Sequence, residues 1–414
     1  MTEGRPKRVL SLFDTTSLIV GIIVGAGVFV AAPEVARAAG SGPALLALWL
    51  AGGLLSLCGA LGYAELASAY PEAGGDYVYL TRAYGRWAGF LFGWIQTLVV
   101  RPGDIAVMAF VFATYAERLL EQPWAGRPAL AAAAVVVLTA VNALGVRSGV
   151  WTQNALTVVK LIGVSLIVVV PFAASVHPPT AGAFPTTTDP LPLAVAVILV
   201  LFSFGGWNEM VYVAAEVRHP TRNIVRAMAL GMGVVTVIYL ALNTAFLRVL
   251  TLPGLRSSSA VATDTVARAL PQHAGSLVSA LIALCALGAV NGLVFAGARI
   301  SYAVGRDHRL FRSLGRWSRH AGTPLRAMIV QGALSLTLIF ALGSFLDAVM
   351  YTAAAVYLFY LATSAAVLVL RLREPGVPRP YRAFGYPATT IVFCAVCVFL
   401  IVAAVQYRPW IAAG

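Results

Sequence analysis

The sequence predicts an all-α polytopic membrane protein made of two groups of five spans and one extra span, each group opened by a span that breaks in its middle. Three observations carry this: the apolar composition, the uneven placement of basic residues, and two glycine interruptions at corresponding places. Of 414 residues, 60% are hydrophobic and only 11% charged, with a mean hydropathy of +0.85, whereas a soluble domain carries about 25% charged residues. The net charge of +13 would suit a nucleic acid or an anionic partner, but its distribution assigns it to topology and leaves no nucleic-acid partner expected. With a cytoplasmic N-terminus and eleven spans, about two-thirds of the 29 Lys and Arg residues fall on the inside, as the positive-inside rule requires.

The chain opens with a short basic segment, 1–9, and an apolar run over 10–32 that exceeds a signal-peptide core and lacks a following cleavage site. It is therefore kept as span one, long enough for a bilayer core of roughly 30 Å. Within it, VGIIVGAGVF (20–29) places Gly21, Gly25 and Gly27 close together. Glycine in a helix interior loses about 1 kcal/mol against alanine, so this cluster either packs against a neighbour or interrupts the helix and frees backbone groups that need a cavity or a ligand. Spans two to five are expected at 44–69, 85–119, 128–144 and 149–172, with Arg101 inside span three and Lys160 inside span five. A Pro/Thr-rich outside loop at 177–190 leads to span six, interrupted by SFGGW (203–207); span seven follows at 227–247, then a polar outside loop that is partly helical. Spans eight to ten are expected at 277–304, 327–342 and 345–370, and the last at 388–405.

Spans one and six each open a group of five and each carry a mid-span glycine break. Broken spans at corresponding positions of two halves point to inverted repeats with a binding site near the midplane, here 10–176 and 190–372, followed by an extra span at 388–407. A half-helix beginning near Gly27 presents free N–H groups and a positive dipole end, which suits a carboxylate; Gly25, Ala26 and Gly27 supply that cradle. Half-helices ending near Ile23 and Ser203 leave carbonyls free, which suit an ammonium group. Carboxylate and ammonium at short separation describe an α-amino acid. The five histidines lie in loops and no metal set, nucleophile–base pair or cofactor motif is visible, so neither an enzyme nor a metal or cofactor is expected. Cys58, Cys285, Cys394 and Cys397 all lie in apolar runs, so the CxxC pair at 394–397 is read as packing and no disulfide is expected.

The segments GIIVGAGVF (21–29), LGYAELASAYPEAGGDYVYL (61–80), FSFGGWNEMVYVAAEVRHPTRNIVRA (202–227) and GAVNGLVFAGAR (288–299) resemble the amino acid–polyamine–organocation superfamily, nearest to the L-type amino acid transporter family and its bacterial relatives, over about 10–410. The resemblance implies the leucine-transporter fold with alternating access around one central site in the cytoplasmic membrane. It implies that Gly25, Ala26 and Gly27 hold the substrate carboxylate, that carbonyls of Ile22, Ile23, Phe202, Ser203 and Gly205 take the amino group, and that Phe202 is an aromatic lid.

A lysine in mid-span is expensive, so Lys160 is expected to face the interior. By resemblance it stands where sodium-coupled members hold a cation, which implies sodium-independent exchange or proton coupling. Arg101 is expected in a structural ion pair or kink; Glu209 is expected to pair with a cation, accept a proton or touch substrate, a structural pair being preferred. Glu65 and Glu216 are expected in inside networks with arginines such as Arg222 and Arg226. Gly205, where members that accept basic substrates can carry an aspartate, implies a neutral substrate. The segment 117–127 lacks the cysteine by which animal L-type members attach an ancillary glycoprotein, so a monomer or homodimer without a disulfide-linked partner is expected. The family usually has twelve spans, one more than are counted here. A transport-inactive sensor on the same fold and an amine substrate are the remaining alternatives.

Overall fold

The computed structural model describes residues 6–25, 27–120, 126–173, 191–258, 260–268, 274–342 and 345–407. No strand forms among them; a single parallel bridge joins Leu10 to Val217. The protein is a multi-pass helical membrane protein. Among the described residues, seven helical stretches are long and apolar enough to cross a bilayer alone, and an eighth span results if α1 (Leu12–Ile23) and α2 (Gly27–Ala38), bent by 52°, count as one. Three shorter apolar helices accompany them: α9 (Leu193–Ser203), α14 (Leu325–Leu342) and α16 (Ala388–Tyr407).

Local sequence sets the element ends. Ser11 caps α1, taking the Asp14 N–H while the Asp14 carboxylate accepts from the Ser11 N–H at 2.8 Å, a reciprocal capping box. Ser41 caps α3 (Gly42–Ala69) one way only, its side chain accepting from the Ala44 N–H, with Pro43 in the first turn. Span three is continuous but not uniform: α5 (Arg86–Ile95) widens into a π-helical turn, Gln96–Val100, before α6 (Arg101–Leu120). The cause is Pro102. A proline ring clashes with the carbonyl four residues earlier, and the wider turn, in which the Arg101 N–H reaches Gln96 O, removes that carbonyl from its path. Span six breaks harder. After α9 the chain turns through 204–208 into a single helical turn, α10 (Glu209–Tyr212), and a 3₁₀ turn, Ala214–Glu216, before α11 (Pro220–Ser257). Its second half is thus much shorter than a half-helix.

The remaining long helices are α7 (Gly126–Ala143), α8 (Val146–Ala173), α13 (Ala274–Asp307) and α15 (Phe345–Arg373), with α4 (Asp76–Tyr84) and α12 (Val261–Ala267) as short connectors. The partly helical outer loop is α12. Helix α13 is the most buried of the spans and packs against α1, α6, α7, α8 and α14. Its small residues let neighbours approach: a Cβ on Gly292 would lie 2.4 Å from Ile22 Cγ1, and one on Gly288 3.1 Å from Lys160 Nζ. Glycine in α13 therefore decides how closely α1 and α8 pack around the break.

Glu65 and Glu216 are paired, but not with the arginines named from sequence. Glu216 takes a fork of two bonds from Arg299, Nε at 2.8 Å and Nη2 at 3.1 Å, with both side chains sealed from solvent. Glu65 accepts from Arg371 at 2.8 and 2.6 Å and from the Ala383 N–H at 2.6 Å. Arg222 and Arg226 are exposed on α11, whereas Arg299 lies buried on α13, which faces the break; interior position selected the partner over proximity in sequence. The four cysteines are all free thiols.

Removing one member of a buried pair strands the other charge, at about 3–5 kcal/mol. Arg299→Ala is therefore expected to lower stability by about that amount, read as loss of the monodisperse peak after heating in detergent. The double variant Arg299→Met with Glu216→Leu is expected to recover most of it.

Candidate functional site

The two breaks face each other across a cavity of about 200 Å³. Its wall includes Ile22, Ile23, Gly25 and Gly27 from the first break and Phe202, Ser203, Gly205 and Glu209 from the second. Ala26 lies outside the described residues. Phe202 is 45% exposed on this wall. Gly25 and Gly27 are not forced by packing, since a Cβ there would meet Met108 Cε at 3.6 Å and Ser203 at 3.7 Å, ordinary contacts. What glycine leaves at these positions is bare backbone, beside the N-terminal end of α2, where the first N–H groups have no intrahelical acceptor. Gly206 is different. It adopts φ +109°, and a Cβ would sit 2.7 Å from Ile22 Cγ2, so the close approach of the two breaks requires glycine there.

Two side chains hold the freed carbonyls. Lys160, buried on α8 and off the cavity wall, donates from Nζ to Gly21 O at 2.6 Å and to Cys285 O at 3.1 Å, joining α1 to α13. Tyr239 on α11 places its hydroxyl 2.9 Å from both Ile23 O and Ser203 O, so one hydroxyl hydrogen is shared between the ends of both broken helices. Its ring is fixed against Trp49 and Phe204, with centroids at 5.4 and 4.9 Å. An unsatisfied carbonyl in this setting would cost about 1–3 kcal/mol.

The opposite wall is polar. Arg101 Nη1 donates to Glu209 Oε1 at 2.6 Å and Arg101 Nε to Gln96 Oε1 at 2.9 Å, and the guanidinium lies over the Tyr212 ring at 5.1 Å. The π turn brings Gln96 and Arg101 onto the same face, which a regular helix places differently. Beside them Tyr360 OH donates to Asn208 Oδ1 at 2.8 Å, Asn208 Nδ2 to the Tyr212 hydroxyl oxygen at 3.2 Å, and Tyr212 OH to Asp76 Oδ2 at 2.5 Å. Asp104 also lines the cavity.

Several of these residues escaped the sequence reading. Asp104 carried a usable signal, being a carboxylate in an apolar run three residues from Arg101. Asp76 stood in a Gly-rich polar stretch that reads as a loop, and Tyr239 in an apolar run gave no signal.

A multi-pass helical protein with a central cavity between two interrupted spans has the architecture of a membrane carrier. The chain belongs to the amino acid permease family, whose model matches residues 10–409. It is 31% identical to the human b(0,+)-type amino acid transporter 1 over 97% of this chain and 84% of that protein. It is also 31% identical to the mouse large neutral amino acids transporter small subunit 2 (97% and 77%) and to the mouse Asc-type amino acid transporter 1 (98% and 78%). Family and relatives alike point to a transporter and not to an enzyme.

Gly206→Ala is expected to wedge the two breaks apart and abolish amino acid binding while the protein still elutes as a folded species. Scintillation proximity binding with parallel size-exclusion profiles checks this; retained binding would show that the approach of Ile22 to Gly206 is dispensable.

Proposed function

We propose that the protein is a sodium-independent secondary transporter of α-amino acids across the cytoplasmic membrane, exchanging substrates by alternating access, with its N-terminus in the cytoplasm. The observation that carries this reading is Lys160. Its side-chain nitrogen donates to the backbone carbonyls of Gly21 and Cys285, so a hydrogen-bond donor already occupies the point where α1 and α13 meet, and oxygen ligands that would suit a sodium ion are engaged.

In this reading the spans are α1 with α2, α3, α5 with α6, α7 and α8 in a first repeat over 10–176. Then α9 with α10, α11, α13, α14 and α15 make a second, inverted repeat over 190–372, and α16 is the eleventh span. The N–H groups at Gly25, Ala26 and Gly27 hold the substrate carboxylate. Carbonyls at Ile22, Ile23, Phe202, Ser203 and Gly205 receive the amino group, with Phe202 as lid. Tyr239 lies at both carbonyl ends, so substrate binding rearranges a hydrogen bond shared by the two breaks, and this couples occupancy to helix motion. Gly205, which leaves that face of the second break without an acid, supports neutral side chains. The names of the three relatives, each an amino acid transporter, support the same substrate backbone.

The test is uptake of a labelled neutral amino acid by purified protein in sodium-free liposomes. Uptake is expected into liposomes loaded with unlabelled amino acid, at least about tenfold above empty ones, and Lys160→Ala is expected to abolish it, as removal of a buried partner of two carbonyls should. Uptake into empty liposomes driven by an inward proton gradient would make the protein a symporter. Binding without any uptake would make it a sensor.

A further inference from the structure

The segment 306–326, which leaves the end of α13, carries six arginines, Arg306, Arg309, Arg312, Arg316, Arg319 and Arg326, and a single acid, Asp307. That acid is engaged, its carboxylate accepting from the Tyr77 hydroxyl at 2.7 Å. All six arginines are exposed, and none has an ion pair or a side-chain hydrogen bond among the described residues. The backbone beneath them is nevertheless fixed. Phe311, Leu314 and Trp317 are buried. Phe311 packs on Phe90 and Trp94 of α5, with ring centroids at 6.4 and 5.8 Å, and Trp317 on Tyr302 of α13 at 5.1 Å. Gly315 lies so close to α13 that a Cβ on it would stand 2.5 Å from the Gly305 carbonyl carbon. At the far end the Val146 N–H of α8 donates to Ala321 O at 3.2 Å. Buried residues thus recur at 311, 314 and 317, and arginines at 309, 312, 316 and 319 fill the outward positions around them. Apolar side chains are exposed on both flanks: Trp87, Trp94 and Leu310 at the α5 end, Leu144 and Trp151 at the α7–α8 turn. Exposed tryptophan near the end of a spanning helix marks the membrane interface, so the arginines stand at head-group depth between side chains that need lipid.

We infer that this segment is a docking surface for anionic phospholipids, whose head groups are held by Arg309, Arg312, Arg316 and Arg319. On the orientation proposed above it meets the inner leaflet; the inference is otherwise independent of what the cavity carries. A phosphodiester accepts the forked donors of a guanidinium, and clusters of about four to eight basic residues beside a span attract anionic lipid. The positive-inside rule asks for basic residues on this side, but not for a buried aromatic row that holds them in place. Like charges held at short spacing repel one another, and anionic head groups remove that repulsion. A nucleic acid or an acidic protein would answer the charge and leave the flanking tryptophan and leucine side chains unused. The surface also connects inward. Trp317 lies 5.8 Å from the Arg299 guanidinium, the partner of Glu216 after the second break, so bound lipid braces α13 where it holds that break.

The test uses the full-length protein in detergent, titrated with phosphatidylglycerol and, separately, phosphatidylcholine, with bound lipid read by native mass spectrometry. The wild type is expected to bind phosphatidylglycerol at least about tenfold more tightly, as several arginines at an anionic surface predict. The combined variant Arg309→Gln, Arg312→Gln, Arg316→Gln and Arg319→Gln is expected to lose that preference while its size-exclusion profile stays that of the wild type, and the matching arginine-to-lysine variant to keep most of it. A comparator, Arg218→Gln with Arg222→Gln and Arg226→Gln, is expected to retain the preference. Absence of a preference in the wild type overturns the inference without any variant. Equal loss in the comparator overturns it in favour of a diffuse charge effect. Binding of ATP that the glutamine variant loses, with no preference for phosphatidylglycerol, overturns it in favour of a soluble polyanion. Because no outcome depends on uptake, failure of the transport reading leaves this result to be read by itself.

Discussion

The structure depends on one constraint: a helix interrupted inside a membrane exposes backbone N–H and C=O groups that neither water nor lipid can satisfy. Everything near the centre of this protein answers it. The α1 end is held by Lys160 at Gly21 and by Tyr239 at Ile23, and the α9 end by the same Tyr239 at Ser203. Those partners come from α8 and from the stretch of α11 before its kink at Thr251, so each break is stabilised by a regular part of another helix. The N-terminal end of α2, by contrast, has no side chain bonded to it among the described residues. The division is physical. Carbonyl ends are tied by protein donors, while the amide end opens on the cavity, where the helix dipole favours an anionic group.

How the halves come together follows from residue size as much as from charge. Gly206 lets the second break touch Ile22, Gly292 lets α13 touch the same isoleucine, and Gly288 leaves room for the Lys160 ammonium. Three absent side chains thus converge on one turn of α1. Larger residues there would separate α1 from α13, and Lys160 would no longer span from Gly21 O to Cys285 O. Small-residue contacts of this kind are the usual means of close helix approach in membranes; here they also set the position of the buried lysine.

Much of this was legible in the sequence, for reasons that can be stated. Span positions follow from apolar length, and the breaks from clustered glycine, because both are local properties. The cavity wall at Ile22, Ile23, Gly25, Gly27, Phe202, Ser203 and Gly205 was legible for the same reason. Partner choice was not. Glu216 and Arg299 are far apart in the chain, and Arg222 and Arg226 lay nearer, but burial and not sequence distance decided the pairing. The π turn at Gln96–Val100 was only half legible: Pro102 forecast a distortion, and nothing local forecast that it would turn Gln96 and Arg101 onto the cavity. Tyr239 was invisible, since one tyrosine in an apolar helix looks the same whether it faces lipid or two open carbonyls.

The two walls of the cavity also differ in kind. On the side of the breaks the wall presents backbone groups, which in the proposed reading meet only what all α-amino acids share. On the side of α6 and α10, side chains face inward, and only these can tell one amino acid from another. That wall carries Asp76, Asp104, Glu209 and Arg101; the Arg101–Glu209 ion pair is closed, while Glu209 Oε2 and the buried Asp76 Oδ1 have no hydrogen-bond partner among the described residues. A closed pair contributes rigidity and a fixed field. An open carboxylate in a low-dielectric cavity contributes selection, because a neutral occupant leaves its desolvation uncompensated and a charged one does not.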